Sequence, residues 1–124
     1  MGSRTPFRVA FVDDDDDLRA MVALSLRLHG FETLGCCSAE EALKYLPAYR
    51  PHAIVLDYMM PGMDGLQTLK ALARRMDLRD TKVVMTSAAN LPEARCLEQG
   101  AAAVLPKPFD ALQLGGYLAA LCGR

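Results

Sequence analysis

Long apolar runs are missing from this 124-residue chain; the longest uninterrupted stretch is only a few residues. A bilayer-spanning helix needs roughly 18–20, so that class is excluded. An excess of either charge is missing too. Fourteen basic against fifteen acidic residues leave a formal charge of −1, so no global basic field recruits nucleic acid or an anionic membrane. There is no C-x-x-C pair: Cys36 and Cys37 are adjacent, while Cys96 and Cys122 stand alone. The thiols therefore read as small apolar side chains in a reducing compartment, not as a zinc site or a disulfide framework. Histidine is scarce, and His29 and His52 lack metal-ligand neighbours at helical spacing; both read as structural. Repeats, low-complexity tracts and linkers are absent. Met1 leads straight through a polar hexapeptide into an apolar strand and a run of aspartates, unlike a secretory signal. The expectation is one cytoplasmic domain over residues 1–124, with its core at about 7–121 behind a tail at 1–6. No membrane contact and no direct nucleic-acid contact are expected.

What is present is an ordinary globular composition, 52% hydrophobic and 23% charged, in a strict alternation of two periods. Phe7–Val12 reads as a strand; Leu18, Met21, Val22, Leu26 and His29 then fall on one helical stripe ended by Gly30. Phe31–Cys36 is a second strand, followed by Ser38-Ala39-Glu40-Glu41, a helix start with the S-x-x-E pattern, and a helix stopping near Pro47. Ala53–Leu56 is a continuous apolar run, as in a strand covered on both faces. Leu66, Leu69 and Leu72 mark a third helix with Lys70, Arg74 and Arg75 on its outer side. Lys82–Thr86 is a fourth strand, Leu91–Gln99 a fourth helix ended by Gly100, and Ala102–Leu105 a short fifth strand. Asp110 caps a last helix with Leu114, Leu118 and Leu121 on one stripe. Five strand–helix units imply an α/β fold, a parallel sheet with helices on both faces.

Ligands of such sheets sit beyond the carboxyl ends of the strands. The residues found there are Asp13 and Asp14 after the first strand, Asp57 after the third, Ser87 after the fourth and Lys107 after the fifth. Three carboxylates together repel unless a cation sits among them, and a hard, oxygen-seeking ion such as Mg²⁺ is the natural occupant. With an ammonium and a hydroxyl nearby, these are the parts for passing a phosphoryl group onto a carboxylate.

Three motifs now carry a resemblance: Phe11-Val12-Asp13-Asp14-Asp15 with Leu18-Arg19; Val55-Leu56-Asp57-Tyr58-Met59-Met60-Pro61-Gly62-Met63-Asp64-Gly65; and Leu105-Pro106-Lys107-Pro108-Phe109. In that order, over roughly Phe7 to Leu121, the chain resembles the two-component response-regulator receiver domains. The resemblance implies a flavodoxin-like (βα)5 sandwich, strand order 2-1-3-4-5. It implies Asp57 as phosphoacceptor from a sensor histidine kinase or histidine phosphotransfer protein, and a domain that catalyses only its own phosphorylation and dephosphorylation. Mg²⁺, with Mn²⁺ as substitute, would be ligated by Asp14, Asp57 and the backbone carbonyl of Met59, with Asp13 acting largely through a coordinated water. Ser87 would hydrogen-bond a phosphoryl oxygen, Lys107 would pair with the phosphoryl group, and the backbone amides of Tyr58 and Ala88 would donate to it. The Lys107-Pro108 bond resembles one that is cis in the family. Phosphorylation would switch the surface of helix 4, strand 5 and helix 5 towards an output domain or target protein.

The remaining acids are separated from the site. Asp15 reads as a helix N-cap with Asp16 and Asp17 in the first turn, and Asp64 as a cap before the third helix. Thr86 is the rival of Ser87, and strand alternation lets only one face the site. Val104 stands where the family often has an aromatic, so the aromatic half of the usual switch is missing. The segment from Ser87 to Lys107 is about two residues shorter than is common. Met59 and Ala89 stand at the two positions that, by the resemblance, lie beside the phosphate and tune its loss; both are nonpolar and cannot orient a hydrolytic water, which implies a phosphoryl lifetime that is not especially short. The uncharged last helix offers a weakly polar surface to a partner, a second copy in a weak homodimer, or an output domain. Leu24 and Leu28 flank the first helix's buried stripe, near the side on which receivers dock their phosphodonor. Two rival readings draw on the same acids. A dehalogenase-type phosphatase would use Asp13-x-Asp15 with Asp13 as nucleophile. A calcium loop at Asp13, Asp15 and Asp17 fails at Leu18 and Leu24, where Gly and Glu are needed.

Overall fold

The computed structural model describes residues 6–88 and 90–123. Its elements are β1 (Arg8–Val12), α1 (Asp16–Leu28), β2 (Glu32–Cys36), α2 (Ala39–Tyr49) and β3 (Ala53–Asp57). There follow α3 (Gly65–Ala73), β4 (Lys82–Ser87), α4 (Glu93–Glu98), β5 (Ala103–Pro106) and α5 (Ala111–Leu121). The five strands form one parallel sheet in the order β2-β1-β3-β4-β5, as the resemblance implies.

Period-two alternation in the central strands divides the core in two. Ala10, Val12, Ile54, Leu56, Val83 and Met85 face α2, α3 and α4, meeting Leu46, Leu66, Leu69, Leu72 and Cys96. Val9, Phe11, Val55 and Val84 face α1 and α5, meeting Val22, Leu26, Leu114 and Leu118. All five residues of β3 are buried, which explains their unbroken apolar run up to Asp57. Each large aliphatic side chain so buried contributes about 1.5–3 kcal/mol.

Side chains close the helix starts as the sequence suggests. Asp15 accepts from the Leu18 N–H at 3.0 Å, Asp110 from the Leu112 N–H at 2.9 Å, and Asp64 with Gln67 forms a reciprocal capping box. Ser38 accepts from the Glu41 N–H at 3.1 Å, but Glu41 reaches back to the Cys37 amide rather than to that of Ser38.

Three sequence expectations are corrected. α2 runs through Pro47 to Tyr49; a proline in the last turn forfeits only its donation to Leu43, and the helix stops where Arg50 turns left-handed. α4 starts two residues later than Leu91, because Pro92 occupies its N-cap without a side-chain cap. On α1, Met21 is exposed and Ser25 is buried instead. The cause is close packing against α5, where the Ser25 hydroxyl donates to Leu112 O at 3.2 Å. The His29 ring lies directly over Gly115, whose missing Cβ would stand 2.2 Å from Nδ1. His29 and His52 are both structural: one sits 3.1 Å from Ser25 O, the other accepts the Arg8 N–H at 2.9 Å. All four cysteines are free thiols. The expectations for Ala89 and for residues 1–5 of the tail fall outside the described residues.

Candidate functional site

The carboxyl edge of the sheet gathers the groups that the strand ends point to. Asp57 closes β3, and Asp13 follows Val12 with its backbone still tied to β2 through Cys36 O at 3.0 Å. Alternation puts both on the Phe11/Val55 side, and both are buried, Asp13 completely and Asp57 to 3% exposure. Asp14 is exposed. Carboxylate oxygens of Asp13, Asp14 and Asp57 lie within 4.8 Å of one another.

Lys107, delivered by β5, places Nζ 2.6 Å from Asp13 Oδ2 and 3.6 Å from Asp57 Oδ2. Its backbone N–H donates to Ser87 O at 3.0 Å, and the Lys107-Pro108 bond is cis. A hollow of about 320 Å³ opens over these groups, lined by Asp13, Asp14, Asp15, Asp57, Met59, Ala88 and Lys107.

One ammonium does not balance three carboxylates. Burial, reinforced by the charge of Asp13, pushes the Asp57 carboxyl up to about 6, against which the Lys107 charge acts only in part. Burial of Lys107 disfavours its own charge. The hydrogen bond to Asp13 and the charges of Asp57 and Asp13 outweigh that and raise its pKa above the ordinary lysine value. A clustered, under-neutralised set of hard oxygen donors, partly open to solvent, fits a divalent cation of the Mg²⁺ type.

Two amides were expected to face the phosphoryl group, and one is corrected. The Tyr58 N–H donates to Thr86 O at 2.8 Å, so the sheet ladder already uses it. The neighbouring Met59 N–H instead donates to Asp57 Oδ1 at 3.2 Å. Ala88 does line the hollow. Thr86 and Ser87 separate as alternation requires. Thr86 pairs in register with Asp57 and is sealed beneath it, its hydroxyl without a partner among the described residues. Ser87 lines an adjoining hollow of about 370 Å³ that shares Ala88 and Lys107 with the acidic one and has Val104 in its wall.

Arg19 was missed as a functional group. Its Nη1 donates to Asp13 O at 2.7 Å while it pairs with Asp16, pinning the loop that carries Asp13 and Asp14. An arginine one turn into α1, just after a run of acids, is the signal that could have found it. The calcium-loop rival fails on geometry, since Asp15 caps α1 and Asp17 lies in its first turn. For the phosphatase rival, Asp13 would have to attack while fully buried, with Oδ1 accepting from the Asp15 N–H and Oδ2 held by Lys107.

A family model described as response regulator receiver domain matches residues 9–118. The transcriptional regulatory protein PrrA of Mycobacterium tuberculosis is 42% identical over 119 residues, 94% of this chain and 50% of that protein. The phosphate regulon transcriptional regulatory protein PhoB of Escherichia coli is 34% identical over 119 residues, covering 94% and 52%. The chain thus spans about half the length of the curated relatives it matches. Among solved structures, the chemotaxis protein CheY4 of Vibrio cholerae matches with a TM-score of 0.84 at 28% identity, covering 94% of this chain and 99% of that one. With three motifs at the ends of the matching strands and the sheet order agreeing, the chain belongs to the response-regulator receiver family, the signalling domains of two-component systems.

Proposed function

We propose that Asp57 accepts a phosphoryl group from a phosphohistidine on a sensor histidine kinase or a phosphotransfer protein. The observation that carries this is the nearly buried Asp57 carboxylate at the floor of the acidic hollow, with Lys107 Nζ 3.6 Å away. A carboxylate oxygen of Asp57 attacks phosphorus; the P–O bond forms as the P–N bond to imidazole breaks, and the imidazole nitrogen leaves with the electron pair. Lys107 moves its ammonium from Asp13 towards the new phosphoryl oxygens, and the Met59 and Ala88 amides and the Ser87 hydroxyl donate to them. Asp14, Asp57 and the Met59 carbonyl would hold Mg²⁺, or Mn²⁺ in its place, with Asp13 acting through a coordinated water, and the ion would supply neutralisation of the transferring oxygens. Water later cleaves the acyl phosphate, the domain catalysing only these two steps on itself.

Residues 1–124 act in this reading as one cytoplasmic receiver. No helix among the described residues is long and apolar enough to cross a membrane. With Val104 in place of an aromatic, the switch is read through Ser87 and the segment after β4, changing the α4, β5 and α5 surface for an output domain, a target protein or a second copy. The expectation of no nucleic-acid contact is confined to the receiver. Relatives about twice this length are transcriptional regulatory proteins, so it is not carried to a longer protein.

The test is mass spectrometry after incubation with Mg²⁺ and a small acyl-phosphate donor. The wild type should gain one phosphoryl group, and Asp57→Ala should gain none. Labelling that persists in Asp57→Ala, or a phosphoryl group that peptide fragmentation maps to Asp13, overturns the assignment.

A further inference from the structure

The opposite end of the sheet holds a cavity of about 540 Å³, larger than either hollow at the acidic edge. It lies where β1 and β3 begin, beyond the ends of α2 and α3. Three arginines, Arg8, Arg50 and Arg75, are among the residues that line it. Arg8 is fixed in place: Nε donates to Tyr49 O and Arg50 O, each at 3.0 Å, and Nη2 to Arg50 O at 2.7 Å. The Arg8 amide donates to His52 Nδ1 at 2.9 Å, which leaves the imidazole proton on Nε2 of a ring stacked on Phe7.

Arg50 adds an independent observation. It is the one non-glycine residue at positive φ among the described residues, at 55°, ending α2 where glycine is the low-cost choice. The strained position lies in the cavity wall. Two acids share the wall. Asp77 is compensated by its own pair with Arg79, whose Nη2 donates to Oδ2 at 2.7 Å and Nε to Oδ1 at 3.1 Å, which leaves Asp80 as the remaining negative group. Thr81 donates its hydroxyl to Pro51 O at 3.2 Å and so presents only acceptor capacity.

We infer that this cavity binds a small phosphorylated metabolite, its phosphates on Arg8, Arg50 and Arg75 and its hydroxyl or amino groups on Asp80 and Thr81. Planar guanidiniums pair two-pronged with phosphate oxygens, and one already held rigid loses little freedom on doing so. The volume lies within the roughly 300–1,000 Å³ usual for small-ligand sites. The site shares no residue with the acidic hollow and does not depend on chemistry at Asp57.

Inorganic pyrophosphate titrated into the metal-free chain at physiological ionic strength, followed by backbone amide NMR, tests the inference. Saturable shifts at Arg8, His52 and Thr81 are expected, unchanged in Asp57→Ala. The double variant Arg50→Gly with Arg75→Gln should bind roughly tenfold more weakly. It should melt no lower than wild type, because glycine relieves the left-handed residue. In a second arm, adenosine diphosphate should bind more tightly than pyrophosphate, and Asp80→Asn should erase that advantage. Shifts confined to Asp13, Asp57 and Lys107, unchanged affinity in the double variant, or no saturation overturns the site. Equal affinity for the two probes overturns the assignment of Asp80 and Thr81.

Discussion

Asp57 carries a cost that makes it useful. Its carboxyl is pushed up from 3.8 to about 6, first by burial and then by Asp13, so ionising it in the folded, metal-free domain is harder than in the unfolded chain. An acid with a raised folded pKa leaves stability intact at low pH and removes it as pH rises from about 3.8 through about 6. Asp57→Asn abolishes that penalty. In chelator-treated protein the variant should be more stable than wild type at pH 7 by up to ~3 kcal/mol. The gap should close as pH falls through 6 towards 4, read from urea denaturation at a series of pH values. A bound divalent cation offsets the same penalty, so Mg²⁺ should raise the stability of wild type by mass action and leave Asp57→Asn nearly unmoved. A gap that widens towards low pH would contradict the account.

Gly65, at the start of α3, links the β3–α3 loop to the site. Its N–H donates to Tyr58 O at 2.8 Å, and a Cβ there would meet the Met85 sulfur at 2.5 Å, Tyr58 Cα at 2.8 Å and Asp57 O at 3.3 Å. The sulfur can swing aside, but the Tyr58 backbone cannot move without displacing Met59. Gly65→Ala should cost about 1–3 kcal/mol by overpacking and slow labelling of Asp57 by a small donor. Unchanged stability with unchanged labelling would mean that the loop yields freely. The same junction shows what a sequence carries and what it does not. Asp13, Asp14, Asp57 and Lys107 were legible because strand ends in a parallel sheet fix their place, and the apolar run of β3 fixes its burial. The direction of an amide was not legible. Whether Tyr58 or Met59 faces the carboxylate depends on which N–H the β4 ladder takes, and Thr86 O takes that of Tyr58. The exposure of Met21 was hidden for a similar reason, since the face that α1 buries is set by its packing against α5, where His29 lies over Gly115, a contact between distant residues. The extent of α2 past Pro47 turned on the left-handed conformation of Arg50, to which an arginine gives no clue.

Across the whole molecule, α1 presents an apolar line that its own core does not use. Met21, Leu24 and Leu28 are 52%, 53% and 73% exposed, and their spacing of three and four residues sets them on one side of the helix. Leu112, also half exposed, begins the neighbouring α5 and accepts the Ser25 hydroxyl through its carbonyl. The helix starts immediately after Asp13, Asp14 and Asp15, so a phosphodonor that reaches the hollow passes its N-terminal end. A histidine protein docking there would bury these side chains, whereas a small acyl phosphate needs none of them. Leu24→Asp should therefore leave labelling by the small donor unchanged and alter folding stability by no more than ~0.5 kcal/mol, as exposed substitutions do. Transfer from a phosphorylated histidine partner should slow by roughly tenfold, the loss expected when one apolar anchor of an interface becomes a charge. Parallel rate measurements with the two donors separate docking from chemistry. Equal slowing with both would locate the defect in the acidic hollow, and equal retention with both would leave the exposed line on α1 without a part in transfer.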